Sequence, residues 1–287
     1  MNGNETTERR GDVKVEKVSK KFGLAPYYHQ ILKDCSLTMH DRELTVLIGP
    51  SGCGKSTLIN LIAGYEKPNE GTILMNGTPI TGPAPDRLVV FQETALFPWM
   101  NTYYNVAFGP RVTRQFTKSS VDEKVARLLE KVGLQGFQAK YPSQLSGGMQ
   151  RRCELARLMI NNPAVMILDE PFRGLDAMTR ELMQEYFLKI LEERSQTVLF
   201  VTSEIEEAII LADRLLIMSN RPGRIIKEMV IDLPRPRSQE ILKTDTYLAY
   251  KREALEVLHS EALKAFAGGS KAASDFLDSF RKEHVDG

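Results

Sequence analysis

The sequence predicts an α/β fold. A core built on a largely parallel sheet is expected to carry an antiparallel β subdomain, a helical subdomain and a helical extension at its C-terminal end. Three observations support this. Short apolar runs at 44–48, 165–168, 197–201 and 215–218 have the length and continuity of strands buried on both faces. Helix-period stretches lie between them: Val125, Leu128, Leu129 and Val132 fall at i, i+3, i+4 and i+7, as do Ile205, Ala208, Ile209 and Ala212. Near the N-terminus the period drops to two. Cys35, Leu37 and Met39 alternate with Ser36, Thr38 and His40, and the run 71–75 is followed by Asn76-Gly77, a hairpin signal.

Taken in order, residues 1–12 are polar and mixed in charge without an apolar stretch, so neither a leader nor an anchor is expected there. The core is predicted over 13–233. Between Pro83 and Pro142 the pattern is mostly helical with Pro and Gly punctuation, which predicts a helical subdomain at about 93–162. The Pro-Arg-Pro segment 234–236 breaks the chain and opens an extension, 234–287, with a helix over roughly 239–266 and a loosely ordered Gly, Ser and Ala tail from Gly268. That helix either packs on the core or regulates it.

Charge and cysteine usage exclude several classes. The 38 Lys+Arg against 37 Asp+Glu leave a net charge of +1, so no whole-chain field attracts nucleic acid or anionic lipid. Cys35, Cys53 and Cys153 are odd in number and lack close metal-ligand spacing, which argues against a disulfide scaffold or a structural zinc and for a reducing compartment. No apolar run approaches the roughly 18 residues needed to span a bilayer. Service to a membrane would come from its side.

Directly after the strand 44–48 comes Gly49-Pro50-Ser51-Gly52-Cys53-Gly54-Lys55-Ser56-Thr57, which fits G-x-x-x-x-G-K-[ST] and runs into a helix-compatible stretch. Glycines let the backbone wrap so that its N–H groups face phosphate, and the helix N-terminus adds its dipole. Lys55 would neutralise the β/γ charge and Ser56 would ligate magnesium. Cys53 reads as a small tolerated residue in the loop. A second element, Val165-Met-Ile-Leu-Asp169-Glu170, is a buried strand ending in two carboxylates. Paired with the loop, Asp169 would hold the Mg²⁺ shell and Glu170 would polarise a water in line with the γ-phosphate. The third is Leu145-Ser146-Gly147-Gly148-Met149-Gln150, opening a helix to about Ile160. Ser146 suits an N-cap, and Gly147 and Gly148 leave free N–H groups, so the segment is either a second anion-binding device or a helix cap alone.

With these residues the sequence resembles the nucleotide-binding subunit of an ATP-binding cassette transporter, over about 13–229. The resemblance implies the fold of a P-loop NTPase and an ATPase using ATP and Mg²⁺. It also implies a second cassette subunit, in a homodimer or a heterodimer, whose Ser146–Gly148 counterpart faces the loop and carboxylates across ATP. Gln92, after the strand 88–91, is similar to the glutamine that touches magnesium and the attacking water, and Asp176 in Gly174-Leu175-Asp176 to the loop aspartate at the dimer seam. Phe22 resembles the aromatic that stacks on adenine, although Tyr27 and Tyr28 lie close by.

A single cassette without spans resembles a separate importer subunit, peripheral on the cytoplasmic face of the inner membrane. Leu96-Phe97-Pro98-Trp99 and Asn105-Val106-Ala107-Phe108-Gly109 resemble the nitrate, sulfonate and taurine importer branch, in which this stretch receives a helix of an integral-membrane permease. Trp99, the only tryptophan, belongs either to that docking patch or to the core. An extracytoplasmic solute-binding protein is implied indirectly, and nucleic acid is not. Two positions depart from the family. Ser203 stands in Val201-Thr202-Ser203-Glu204 where members carry a switch histidine, and Arg173 stands where a small residue is usual. Both fall on the hydrolysis machinery, which leaves open a hydrolysis-impaired cassette that pairs with a competent partner.

Overall fold

The computed structural model describes residues 11–24, 27–113, 117–192, 196–237 and 239–267. The readings made for residues 1–10 and for the tail from Gly268 fall outside the described residues.

Two sheets organise the chain. Strands β1 (Val13–Leu24), β2 (Tyr27–Met39), β4 (Glu70–Met75) and β5 (Thr78–Pro79) form an antiparallel sheet in the order β2-β1-β4-β5. The period-two run behaves as the alternation requires: Cys35, Leu37 and Met39 are buried, and Ser36 and His40 are exposed. The second sheet contains β3 (Leu44–Ile48), β6 (Arg87–Val90), β7 (Val165–Asp169), β8 (Thr197–Val201), β9 (Arg214–Met218) and β10 (Ile225–Val230), in the order β10-β9-β3-β8-β7-β6. It is parallel except at β10, which lies antiparallel on the edge. Every residue of β3, β7 and β8 is buried, as continuous apolar runs in a covered parallel sheet demand.

Side-chain alternation sends the two faces of this sheet into different cores. Leu47, Ile167, Leu199 and Leu216 pack with α1 (Lys55–Ala63) and with the inner face of the antiparallel sheet. Val46, Leu168, Phe200 and Ile217 face the helical side, built from α2 (Thr102–Thr113), α3 (Lys118–Lys131), α4 (Gly147–Met159), α5 (Ala177–Glu192) and α6 (Ile205–Leu211). Helix α2 packs on both α3 and α4, and the predicted stripe Val125, Leu128, Leu129 and Val132 is buried between them.

The extension differs in one detail from the single helix expected over 239–266. A 3-10 turn, Gln239–Lys243, precedes α7 (Asp245–Ala267). Thr244 separates them, because its hydroxyl donates back to the Ile241 carbonyl at 2.7 Å and accepts from the Tyr247 N–H at 3.3 Å, which starts a new helix. Arg237 is buried and donates to the carbonyls of Ile210, Ala212 and Ile231, fastening the extension to the sheet. Helix α7 then packs on α6 and β9, with Tyr247 and Ala254 buried. Among the described residues no helix is long and apolar enough to cross a membrane.

Because β9, β3, β8, β7 and β6 are neighbours and parallel, the segments leaving their carboxyl ends emerge along one edge of the sheet. That edge is where an open α/β sheet binds ligands.

Candidate functional site

The loop between β3 and α1 is closed by its own residues. Lys55 is buried and its Nζ donates to the carbonyls of Gly49 at 2.7 Å and Pro50 at 3.1 Å, while the Cys53 N–H returns to Pro50 at 3.3 Å. Gly54 must be glycine. Its φ is +112°, and a Cβ there would lie 2.8 Å from Leu32 Cδ2. Ser51 and Gly52 are exposed at the tip, and Ser56 and Thr57 begin α1. Cys53 is buried against Gly49. Burial pushes its thiol above the ordinary value, with Lys55 opposing, so the sulfur stays protonated and acts as packing.

The carboxylate strand meets this loop directly. Ser56 Oγ donates to Asp169 Oδ2 at 3.0 Å, which joins two motifs 113 positions apart. Burial pushes the Asp169 carboxyl up and the Ser56 hydroxyl pulls it down; neighbouring Glu170 adds to the rise and Lys55 offsets it, leaving a net increase. A hydroxyl and a partly desolvated carboxylate oxygen beside a phosphate-type loop form a hard-oxygen donor set, which fits a magnesium ion shared with phosphates.

Register explains what stands opposite. Asp169 pairs with Val201 across β7 and β8, and the Glu170 N–H extends the ladder to the Val201 carbonyl at 2.8 Å. Glu170 leaves the strand at φ +43°, in the left-handed region, a conformation costing about 1–3 kcal/mol for a non-glycine residue and held by that hydrogen bond. The side chain turns into a small pocket that Ser203, Thr202, Arg173, Arg180 and Glu207 also line. Arg173 donates from Nη1 to Glu170 Oε2 at 2.7 Å. Behind them Glu207 is buried and accepts from Gln184 Nε2 at 2.8 Å. Burial raises its carboxyl, with hydrogen bonds from Thr202 and Gln184 opposing.

The other predicted residues lie around this centre. Gln92 follows β6 with its side chain exposed and its carbonyl held by Arg151 Nη2 at 2.7 Å. Ser146 caps α4, its hydroxyl accepting the Met149 N–H at 3.3 Å, with Gly147 and Gly148 in the first turn. Asp176 accepts the Thr179 N–H at 3.0 Å at the start of α5, and the Thr179 hydrogen bonds hold its carboxyl below the usual range. Phe22 is 40% exposed near the end of β1, opposite His29, with the Lys20 ammonium 4.8 Å from its ring centroid. Trp99 is 70% exposed and tilts against Phe97, which excludes core burial.

Sequence reasoning missed two features. Arg151 and Glu154 form a buried pair at 2.7 Å on α4 that grips the segment after β6: Arg151 donates to the Phe91 and Gln92 carbonyls, and Glu154 accepts the Ala95 N–H at 2.5 Å. Their i, i+3 spacing was visible, but the backbone they hold was not. The turn between β9 and β10 also reaches the loop, with Arg221 Nη2 donating to the Gly52 carbonyl at 3.0 Å. Asn-Arg-Pro-Gly reads only as a turn signal.

The chain is similar to known proteins over most of its length. The ABC transporter family profile matches residues 32–173. A taurine import ATP-binding protein of Roseobacter denitrificans is 46% identical over 75% of this chain and 80% of its own length. A nitrate import ATP-binding protein of Synechococcus elongatus is 41% identical over 88% of this chain and 93% of its own. A dimeric ATP-binding cassette in a post-hydrolysis state, bound to ADP and Pi, superposes with a TM-score of 0.68 at 28% identity, covering 77% of this chain and all of that one.

Proposed function

The chain belongs to the ABC transporter family, and on that premise we propose that it is the ATP-hydrolysing subunit of an importer, acting from the cytoplasmic face of a membrane on a separate permease. The observation that carries this is the Ser56–Asp169 hydrogen bond, which brings the phosphate loop and the carboxylate strand into one site. In this reading the Gly49–Thr57 backbone and Lys55 bind the phosphates, and Ser56, Asp169 and Gln92 hold magnesium. When bound, magnesium would supply charge neutralisation for the phosphates. Glu170 accepts a proton from the attacking water, Phe22 stacks on the base, and Ser146, Gly147, Gly148 and Asp176 complete the site of a second cassette. ATP closes the pair, closure drives the permease into its other state, and hydrolysis resets it.

An exposed Trp99 beside Phe97 and Phe108 supports permease docking near Leu96 to Trp99, since aromatic anchors with a polar N–H suit such a patch. Trp99→Ala should leave ATP affinity unchanged and weaken permease association by about 2 kcal/mol. The deciding experiment is copurification from detergent-solubilised membranes: an integral-membrane partner retained by the parent chain and lost with Trp99→Ala is expected. A salt-sensitive nucleic-acid complex with no membrane partner would overturn the importer reading.

The Arg173–Glu170 ion pair, together with Ser203, favours a second reading. Here the chain binds ATP but turns it over slowly at its own site, and a partner cassette carrying the histidine performs most hydrolysis in a heterodimer.

A further inference from the structure

We propose that α7 positions the phosphate loop, acting from Glu261 through the turn between β9 and β10. The inference rests on the reading of Gly49–Thr57 as an ATP site.

Glu261 lies near the far end of α7 and is only 4% exposed. A buried carboxylate needs donors, and it has two: the Asn220 backbone N–H at 2.9 Å and Lys264 Nζ at 2.6 Å. Asn220 begins a turn whose ends are clamped, with Ser219 N–H donating to the Arg224 carbonyl at 2.9 Å and Arg224 N–H to Ser219 Oγ at 3.1 Å. The turn is also tied to β2, because Gly223 donates to Ile31 at 2.7 Å and accepts from Lys33 at 3.2 Å. Its third attachment is the phosphate loop. Arg221 holds the Gly52 carbonyl at 3.0 Å, and Gly223 lies so close to Cys53 that a Cβ on it would sit 2.2 Å from the Cys53 carbonyl oxygen.

These contacts bear on binding because of peptide geometry. A trans peptide points its C=O and N–H in opposite directions, so seating the Cys53 carbonyl on Gly223 aims the Gly54 N–H away from the turn. Fixing the Gly52 and Cys53 carbonyls therefore fixes the donors that a phosphate would meet. Other links keep α7 in register with α6 and with β10: Lys251 pairs with Glu206 at 2.6 Å and Lys227 with Glu253 at 2.5 Å. The extension is thus continuous with the loop through two hydrogen-bonded steps, and Glu261 is a positioning residue.

The test measures MgATP affinity by calorimetry and steady-state ATPase on the full chain. Glu261→Ala and Arg221→Ala should each weaken affinity three- to tenfold and raise KM to match, with kcat within about twofold of the parent. Glu261→Gln should bind like the parent, because its amide oxygen still accepts the Asn220 N–H. The double variant Arg221→Ala/Glu261→Ala should be little weaker than either single change, since both break one path. Parental affinity in Glu261→Ala overturns the proposal and leaves α7 as packing alone. So do equal losses in Glu261→Ala and Glu261→Gln, or losses that multiply in the double variant. Arg221 is exposed, so its truncation spares the fold, and parental affinity in that variant overturns the proposal even if Glu261→Ala fails to fold. A parent chain that binds no MgATP would instead overturn the ATP site itself.

Discussion

The two halves of the candidate site stand on the same sheet edge and are held in opposite ways. On one side, at the carboxyl end of β3, the charged and hydroxyl groups of the motifs bond within the motifs: Lys55 to Gly49 and Pro50, and Ser56 to Asp169. On the other, where β7 and β8 end, Glu170 is bound by Arg173, a residue outside any phosphate motif, and Ser203 stands exposed beside them. The first half is organised before ligand arrives. The second holds the Glu170 carboxylate in an ion pair, which on the proposed mechanism must open or reorient before Glu170 can accept a proton. Binding and hydrolysis should therefore be separable by single substitutions.

The sharpest separation, and the largest effect, is expected from Glu170→Gln. The amide can orient water but cannot take its proton, and a positioned base contributes about 10²–10⁴ in rate. Steady-state turnover should fall by that factor while calorimetric MgATP affinity stays within about twofold. A parental rate would remove Glu170 from the reaction and dissolve the contrast between the two halves.

Lys55→Ala probes the other half. Charge-assisted contacts of this type are worth roughly 1.5–3 kcal/mol, so MgATP affinity should drop by about one to two decades, measured by calorimetry. Its two internal acceptors are loop carbonyls, so the fold should persist. Unchanged affinity would show that phosphate is bound elsewhere.

The same contrast separates what was legible in the sequence from what was not. The strands at 44–48 and 197–201, the buried stripe on α3 and the Ser146 cap follow from local pattern, because period, capping and glycine demand are properties of neighbouring residues. The Ser56–Asp169 contact was also within reach, since two short motifs on adjacent layers of one fold have few ways to meet. Arg173 and Arg221 were not. Nothing in a bare cation says which carbonyl or carboxylate it will reach: Arg173 acts three residues away and Arg221 acts 169 residues away. The edge strand β10 escaped for a related reason, as its half-buried, exposed and buried residues follow no clean period.

Ser203→His tests whether the second half lacks a group. Ser203 keeps a hydroxyl donor but cannot be cationic. Loss of one group acting on transition-state charge typically costs about 10²–10³. Restoring a histidine in a pocket that also contains Arg173 and Arg180 should recover part of that, about tenfold in steady-state ATPase of the assembled transporter. Vigorous parental turnover unimproved by histidine would mean that Ser203 and its neighbours already complete the switch, and the heterodimer reading would fall.

Arg173→Ala is the smallest effect and the one that decides what the ion pair does. Its side chain is 60% exposed, so the pair contributes little to stability, about 0–1 kcal/mol, and melting should hardly move. Its influence on chemistry has a definite sign. A guanidinium N–H on Oε2 occupies one of the lone pairs with which Glu170 would take a proton. Removing it should raise turnover about two- to fivefold, an effect best seen in the Ser203→His background, where the imidazole then has room. The gain should vanish when Glu170→Gln is added, because an amide offers no proton acceptor to release. Equal ATPase rates for Ser203→His with and without Arg173→Ala would show that the pair is neutral to hydrolysis. A fall would show that Arg173 orients Glu170 rather than restraining it, and the two halves would then be equally pre-organised.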